Sequence, residues 1–172
     1  GTFRYNRTGN LTIHNSTTSP YEILESASIS VNNGIVFIGS GNNNNSDLVL
    51  RGLLEITGGT VNIGDPANTG VNNDIIVAAA GTPEINISGG TLRINGQLRR
   101  DLLSQAGALR YIQSGNSVVR IVGRNPEVSR GMIEVVNSGS YFQMDGTSEL
   151  IINRGGSVNF ADLYVRPEDS EV

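Results

Sequence analysis

Two arginines, Arg93 and Arg120, are the residues of this chain whose type and spacing point most clearly to binding chemistry. Each stands between two aliphatic residues in an alternating segment. In a β-strand, such alternation turns the aliphatic residues to one face and the arginine to the other. Because guanidinium groups bind oxyanions through paired hydrogen bonds, we predict a ligand-binding site at Arg93 and Arg120 for an anionic glycan, such as a uronate or a sulfated sugar.

The two arginines are expected to lie side by side, because they occupy equivalent positions in successive repeats and neighbouring strands are about 4.8 Å apart. Stacked like charges on a sheet reduce stability unless something compensates them. An anionic ligand would compensate them, and so would acidic neighbours or solvent; the sequence leaves both interpretations open. The predicted outward column comprises Thr12, Phe37, Asn62, Arg93, Arg120, Gln143 and Asn159.

The acidic residues form no recognisable catalytic pattern. Glycoside cleavage needs two carboxylates, or a base beside a cation, at a defined separation. Glu134 and Glu149 belong to successive repeats and form the one pair considered for such a site, whereas His14, the single histidine, is expected on the surface. The scattered acidic residues are Asp65, Asp74, Glu84, Glu134, Asp145, Glu149 and Asp162. We therefore predict no catalytic residues and no enzyme activity, with a polysaccharide lyase or hydrolase as the less favoured alternative.

The sequence predicts no metal site and no cofactor. It has no cysteine, so it can form neither a disulfide nor a thiolate metal site. Asn42–Asn45 and Asp47 carry oxygen atoms that suit a hard cation, but an asparagine run in a loop is more often a turn, and Asp145-Gly146-Thr147 is also expected to be a turn. Hydroxyl groups at the corners, such as those of Thr57 and Ser88, are expected to satisfy backbone groups rather than to form an ice-binding face.

Charge and hydropathy exclude two classes of partner. The net charge is −4 and all twelve basic residues are arginine, which argues against a nucleic-acid-binding protein, since such proteins need a basic surface. No apolar run approaches the roughly 18 residues that a membrane-spanning helix needs, so we expect no membrane insertion.

The elements that would position these residues are short strands joined by glycine-containing corners. The segment 54–64, Leu-Glu-Ile-Thr-Gly-Gly-Thr-Val-Asn-Ile-Gly, returns at 85–96 as Ile-Asn-Ile-Ser-Gly-Gly-Thr-Leu-Arg-Ile-Asn-Gly. Looser copies begin at Ile112, Val135 and Leu150. Each unit is too small to bury its own apolar face and must stack on the next, as in repeat proteins.

Equivalent apolar pairs, each two residues apart, recur along the chain at successive steps of 25, 25, 31, 27, 23 and 16 residues. The pairs are Leu11/Ile13, Val36/Ile38, Val61/Ile63, Leu92/Ile94, Val119/Ile121, Phe142/Met144 and Val158/Phe160. Repeats that vary in length but keep a stacked apolar ladder predict an all-β fold, a parallel β-helix solenoid of about seven coils. A right-handed helix is expected from the general preference of parallel crossovers. A β-sandwich of hairpins is the alternative fold.

The intervals within a unit favour the solenoid. Ile56 and Val61 lie five positions apart, as do Ile87 and Leu92, and a straight strand would place residues at such an odd interval on opposite faces. A Gly-Gly corner resets the phase and allows both residues to point inward.

Four longer segments interrupt the repeats: Ser40–Asp47, Asp65–Asn73, Gln97–Leu109 and Arg124–Gly131. The third has the only helical character in the chain, enough for one or two turns. We predict a single β-helix domain over 1–172 that forms part of a larger protein, with 164–172 as a linker or tail.

Part of the chain resembles the β-helical repeat regions of very large surface proteins of Bacteroidota. The resemblance is carried by Gly96-Gln97-Leu98-Arg99-Arg100, by 106–115, Ala-Gly-Ala-Leu-Arg-Tyr-Ile-Gln-Ser-Gly, and by Ala78–Gly81 leading into 85–92, and it covers 48–160. Those proteins are typically exported by the type IX secretion system, and some act in gliding or attachment. The resemblance implies an extracellular or cell-surface location, a structural or adhesive role, and no catalytic residues. As partners we expect the rest of a larger chain and surface glycans or polysaccharide.

Overall fold

The computed structural model describes residues 1–14, 19–39, 46–67, 71–101, 107–123, 131–135, 137, 139–152 and 161–165. For His14 and for 161–165 it describes the backbone alone. All the structural statements below refer to these residues.

The described chain is entirely β, with sixteen strands and no helix, and the strands lie in three parallel stacks. Stack I contains the first halves of β1 (Thr2–His14) and β3 (Ser28–Ile38), then β5 (Leu53–Ile56), β8 (Glu84–Ile87), β11 (Arg110–Gln113) and β14 (Tyr141–Met144). Stack II contains the second halves of β1 and β3, then β6 (Thr60–Ile63), β9 (Thr91–Ile94), β12 (Val118–Ile121) and β15 (Glu149–Ile152). Stack III contains β2 (Tyr21–Ile23), β4 (Leu48–Leu50), β7 (Ile75–Val77), β10 (Leu98–Arg100), β13 (Gly131–Val135) and β16 (Ala161–Val165).

Every strand pairing in the described chain is parallel and joins one coil to the next. In stack II, Val36 lies opposite Val61, and Val61 lies opposite Leu92. In stack I, Leu54 lies opposite Ile85. The fold is therefore a β-solenoid of about five turns, which confirms the predicted parallel β-helix and excludes the sandwich of antiparallel hairpins.

The core consists of aliphatic columns that run along the solenoid axis. Alternation within each short strand turns every second side chain inward, where it meets the equivalent side chain of the next coil. Ile38, Ile63, Ile94 and Ile121 form one such column, and each is 0% exposed. Burial of these columns is the main stabilising contribution, because the hydrophobic effect scales with the apolar area removed from water.

The corner between stacks I and II is short and built on glycine. Gly59 and Gly90 have φ values of 72° and 73°, in the left-handed region that glycine adopts without strain. The predicted change of phase is present: Ile56 and Val61 are both fully buried on either side of this corner. A Cβ added to Gly90 would lie 2.4 Å from the carbonyl oxygen of Gly59 in the preceding coil, so the corners stack too closely for a side chain.

The structure corrects the alignment of the last repeats. Phe142 and Met144 lie on β14 in stack I, opposite Tyr111 and Gln113, and are not the next members of the stack II column. Leu150 continues that column, opposite Val119. This shift by one strand accounts for part of the difference between the expected seven coils and the observed five. The pair Val158/Phe160 lies outside the described residues.

The connecting segments differ among the three corners. Three of the four predicted interruptions, 40–47, 65–73 and 124–131, fall between stack II and stack III. The fourth, 97–109, was expected to be partly helical; Leu98–Arg100 instead form strand β10, and 102–106 lie outside the described residues. Of the predicted tail, Tyr164 and Val165 belong to β16, and 166–172 lie outside the described residues.

Candidate ligand-binding site

Arg93 and Arg120 lie directly opposite each other on the outer face of stack II. Arg93 is in β9 and Arg120 in β12, and the parallel register pairs their Cα atoms. The flanking Leu92 and Val119 point inward and are fully buried, which fixes both arginines on the outer face. The predicted adjacency is confirmed, whereas ligand binding by this pair stays a prediction.

The two guanidinium groups differ in their surroundings. Arg120 is exposed, whereas Arg93 is partly buried. The Nε of Arg93 is buried and has no hydrogen-bond acceptor. An unsatisfied buried donor costs about 1–3 kcal/mol, and more when it is charged. The pair therefore holds two like charges and one unsatisfied donor at a single place on the surface.

Several other arginines of the described coils pair with a carboxylate of another coil. Arg51 pairs with Glu22 at 3.7 Å, and Arg110 pairs with Glu84 at 3.7 Å. Arg100 pairs with Glu134 at 3.2 Å. Within the described residues, no such carboxylate pairs with Arg93 or Arg120. In the part of the chain that the structure describes, neither arginine therefore forms a salt bridge, and screening by solvent stays the alternative to a ligand at the exposed Arg120.

The outward column around the arginine pair contains both polar and apolar residues, and one of its predicted members lies elsewhere. Asn62 lies opposite Arg93 and is only 5% exposed, and partly exposed Phe37 lies opposite Asn62. Ile151 follows Arg120. The predicted column placed Gln143 there; Gln143 belongs to stack I, and Asn159 lies outside the described residues.

A second polar site lies at the corner between stacks II and III. It was not predicted from the sequence. Asp47 and Asp74 occupy equivalent positions immediately before β4 and β7. Oδ1 of Asp47 accepts the N–H of Asp74 at 2.8 Å, and Oδ1 of Asp74 accepts the N–H of Gln97 at 2.8 Å. The two carboxylates thus connect three successive coils through backbone hydrogen bonds.

Arg99 closes this group, which we call the Asp47–Asp74–Arg99 clasp. Its Nε donates to Oδ2 of Asp74 at 2.5 Å, and its NH2 group lies 3.9 Å from Oδ2 of Asp47. The Asp74 side chain is only 3% exposed. Burial, together with the negative charge of Asp74, raises the pKa of Asp47 to about 7, although the hydrogen bond from Asp74 N–H and the charge of Arg99 act in the opposite direction.

The clasp could have been found from one sequence signal. Asp47-Leu48-Val49-Leu50 and Asp74-Ile75-Ile76-Val77 share an aspartate followed by three aliphatic residues. Asn42–Asn45, the other oxygen-bearing residues of the candidate cation loop, lie outside the described residues. In the structure, Asp47 is directed instead to a backbone N–H and to Arg99.

The remaining polar candidates do not assemble into a catalytic arrangement in the described chain. Glu134 lies in stack III and Glu149 in stack II, so the strand register does not bring them together. His14 ends β1, and its side chain is not described. No cluster of three or more histidine or acidic side chains suitable for a metal ion occurs among the described residues. Within the same residues, no helix has the length and apolarity needed to cross a membrane.

One buried polar network is structural. The hydroxyl of Tyr111, which is fully buried, donates to Oε1 of Gln113 at 2.6 Å, and Nε2 of Gln113 donates to the carbonyl of Glu149 at 2.8 Å. The ring of Tyr111 stacks on Phe142 with centroids 4.7 Å apart. The network fills inward positions that aliphatic residues occupy in earlier coils, and it satisfies its own polar atoms.

The chain matches no protein-family model, no curated protein and no solved structure. The comparisons therefore assign it to no family, and the resemblance to Bacteroidota surface proteins stays a prediction. What the arrangement can do chemically follows from the residues alone: an outward arginine pair that lacks a described counter-charge, and a buried clasp that is sensitive to protonation.

Proposed function

We propose that this chain is a rigid shaft within a secreted or surface-displayed bacterial protein, with a structural or adhesive role. The observation that carries the proposal is the continuity of the inward columns, which are buried from coil to coil between β3 and β13. Backbone hydrogen bonds between parallel strands run along the axis, so tension along the axis loads all three stacks together. Export by the type IX system and a part in attachment or gliding belong to the same proposal.

The shaft also has sites at which segments can be displayed. Variable connections join stack II to stack III and stack III to stack I, whereas the glycine corner stays short. Connecting segments at a surface tolerate variation and commonly carry recognition. A stiff support that presents variable segments along two edges suits attachment better than it suits turnover of a substrate.

Limited proteolysis with mapping of the cut sites, together with labelling of intact cells, tests the shaft proposal. We expect cuts only in the connections that flank stack III, protected strands in all three stacks, and antibody binding to non-permeabilised cells that express the protein. Early cuts within β5, β6, β8 or β9 would contradict a rigid shaft. Labelling only after permeabilisation would contradict surface display.

A glycan-binding module is the second candidate function, and the arginine pair favours it. Arg93 and Arg120 are aligned on an outer face without a described carboxylate partner. Retention of the purified chain on immobilised acidic polysaccharides, but not on neutral ones, is the expected result. A lyase or hydrolase remains the least favoured candidate, and release of soluble sugar from the same resins would revive it.

A further inference from the structure

We propose that an acidic polysaccharide binds in an extended conformation along the outer face of stack II, with one of its carboxylate or sulfate groups held between Arg93 and Arg120. This inference rests on the glycan-binding function, the second candidate above, and deepens it by assigning the bound group and the direction of the polymer.

Arg93 and Arg120 form a like-charged pair without a described counter-charge. Several arginines elsewhere pair with a carboxylate of another coil, as in Arg51 with Glu22. The like-charged Asp47 and Asp74 also stand in successive coils, but there Arg99 supplies the opposite charge. Arg93 and Arg120 instead face each other across one strand spacing, about 4.8 Å. Like charges directly opposite each other are destabilising on a sheet. A single oxyanion between them would turn that repulsion into two charge-assisted contacts.

The buried Nε of Arg93 has no hydrogen-bond acceptor among the described residues. A guanidinium has five donors in a fixed planar fork, and carboxylate and sulfate oxygens fit this fork in pairs. The Nε donor is covered and has no acceptor. The partly exposed Arg93 side chain can change rotamer quickly, which opens the donor to a ligand oxygen. The bound oxyanion then supplies the acceptor that the described residues do not provide.

The outward residues that follow one another across the strands give a bound polymer its direction. The register column Phe37–Asn62–Arg93–Arg120 crosses the strands, and therefore runs along the solenoid axis. Phe37 is partly exposed and offers a ring surface for the apolar C–H face of a sugar, and the intervening Asn62 is nearly buried. An extended polymer laid along this column meets an aromatic surface and then the arginine pair.

The net charge of the protein favours an acidic glycan over a nucleic acid as the bound polymer. The chain has a net charge of −4. A nucleic-acid surface needs many phosphate contacts from a basic stripe, whereas here two arginines stand close together on an acidic protein. Attraction must therefore be local, at one oxyanion, while the remainder of the ligand is held by uncharged contacts. An acidic glycan provides both kinds of group in each sugar.

Titration calorimetry with defined probes tests the site. The probes are oligogalacturonate for carboxylate, dextran sulfate for sulfate, and dextran as the neutral polymer, each at low and high salt. Arg93→Gln and Arg120→Gln are compared with the wild type. The matched control is the double variant Arg4→Gln/Arg7→Gln, which changes the net charge by the same amount as Arg93→Gln/Arg120→Gln and alters two exposed arginines of β1.

We expect at least one acidic probe to bind, dextran not to bind, and each single substitution to weaken binding about ten-fold, the effect of losing one charged hydrogen bond. The double variant Arg93→Gln/Arg120→Gln should abolish binding, and the β1 control should retain it. A saturating acidic probe should also raise the melting temperature of the wild type and leave that of Arg93→Gln/Arg120→Gln unchanged. Since the substitutions remove a repulsion, the variants should fold.

Two results would overturn the inference, and they differ in which proposed function they leave standing. Acidic binding that survives in Arg93→Gln/Arg120→Gln would place the glycan site elsewhere on the chain and keep the glycan-binding function. Failure of every acidic probe to bind the wild type would remove that function as well and leave the shaft alone. Comparison of the oligogalacturonate and dextran sulfate arms identifies which oxyanion is bound.

Discussion

The carboxylate of Asp47 couples the stability of this fold to pH. Its pKa rises from 3.8 to about 7 because the group is buried and lies close to the negative charge of Asp74. Between these two values the unfolded chain has already lost the proton that the folded chain still holds. Linkage then requires that folding becomes less favourable as the pH rises through this window, and that the loss is complete above it.

We therefore expect the free energy of unfolding of the wild type to fall from pH 4.5 to pH 7.5, with a slope of at most about 1.4 kcal/mol per pH unit. Asp47→Asn should flatten the profile, because the amide oxygen still accepts the N–H of Asp74 and carries no titrating charge. Urea unfolding at several pH values in this range measures the free energy of unfolding of the wild type and of Asp47→Asn. The control is Asp145→Asn at an exposed turn, which should follow the wild type; identical slopes in Asp47→Asn and the wild type would refute the assignment.

Arg99 is the salt-bridge partner of the Asp74 side chain, which is only 3% exposed. Removing one member of a buried ion pair leaves an uncompensated charge and costs about 3–5 kcal/mol. Arg99→Gln is expected to lower the free energy of unfolding by about 3 kcal/mol in urea titrations. The double variant Asp74→Asn/Arg99→Gln should recover part of that loss.

The neighbouring Arg100 is the matched control for this experiment. Its pair with Glu134 is more exposed, so Arg100→Gln should change the free energy of unfolding by no more than about 1 kcal/mol. Equal losses for Arg99→Gln and Arg100→Gln would mean that the clasp contributes no more than a surface ion pair.

At the scale of the elements, the glycine corner between stacks I and II determines how closely the coils approach. Gly90 combines a positive φ with a close backbone neighbour, Gly89 has the close neighbour without a positive φ, and Gly9 has a positive φ with open space around it. We expect Gly90→Ala to lower the melting temperature more than either Gly89→Ala or Gly9→Ala. Thermal unfolding of the three variants separates backbone strain from steric conflict. If Gly9→Ala were the most destabilising, crowding at the corner would be unimportant.

The sequence was sufficient to predict the strands and their phase where the repeats are close copies. Val61/Ile63 and Leu92/Ile94 follow the same corner motif, so their alignment was correct, and with it the adjacency of Arg93 and Arg120. Phe142 was assigned to the wrong stack because strands on both sides of a corner show the same alternation. The short steps of 23 and 16 residues after Val119 were the available sign that a stack had been skipped.

The sequence repeats the two aspartates of the Asp47–Asp74–Arg99 clasp, but it does not show that Arg99 contacts them. The three members of the clasp come from three coils, and they meet only because Arg99 reaches back toward the corner before β7. Alternation indicates which face a residue occupies, but not in which direction a long side chain reaches. The hydrogen bond between Tyr111 and Gln113 was not predicted either, because the alternation of apolar residues does not identify polar residues that point inward.

At the scale of the whole molecule, the inward columns make each coil depend on its neighbours. Ile63→Asp and Ile94→Asp each place an unpaired charge at a fully buried position shared by adjacent coils. We expect each to reduce the free energy of unfolding by more than about 4 kcal/mol and to abolish the β signal in circular dichroism at 37 °C or below. Thr91→Asp, on the outer face of the same strand as Ile94, is the control. Wild-type melting temperatures for both isoleucine variants would mean that the inward ladder is misassigned.

The stacked glycine corners also constrain how the gene can change in length. Gly58-Gly59-Thr60 and Gly89-Gly90-Thr91 are identical tripeptides at equivalent points of successive coils, with Thr60 opposite Thr91. Unequal recombination between their codons removes or duplicates one complete coil and leaves every remaining side chain in phase. A crossover between positions that are not equivalent in the two coils, and that shifts the register by one residue, turns the hydrophobic positions of the following strand toward solvent. Length variation in this protein should therefore be inherited in steps of whole coils, with small insertions tolerated only at the other two corners.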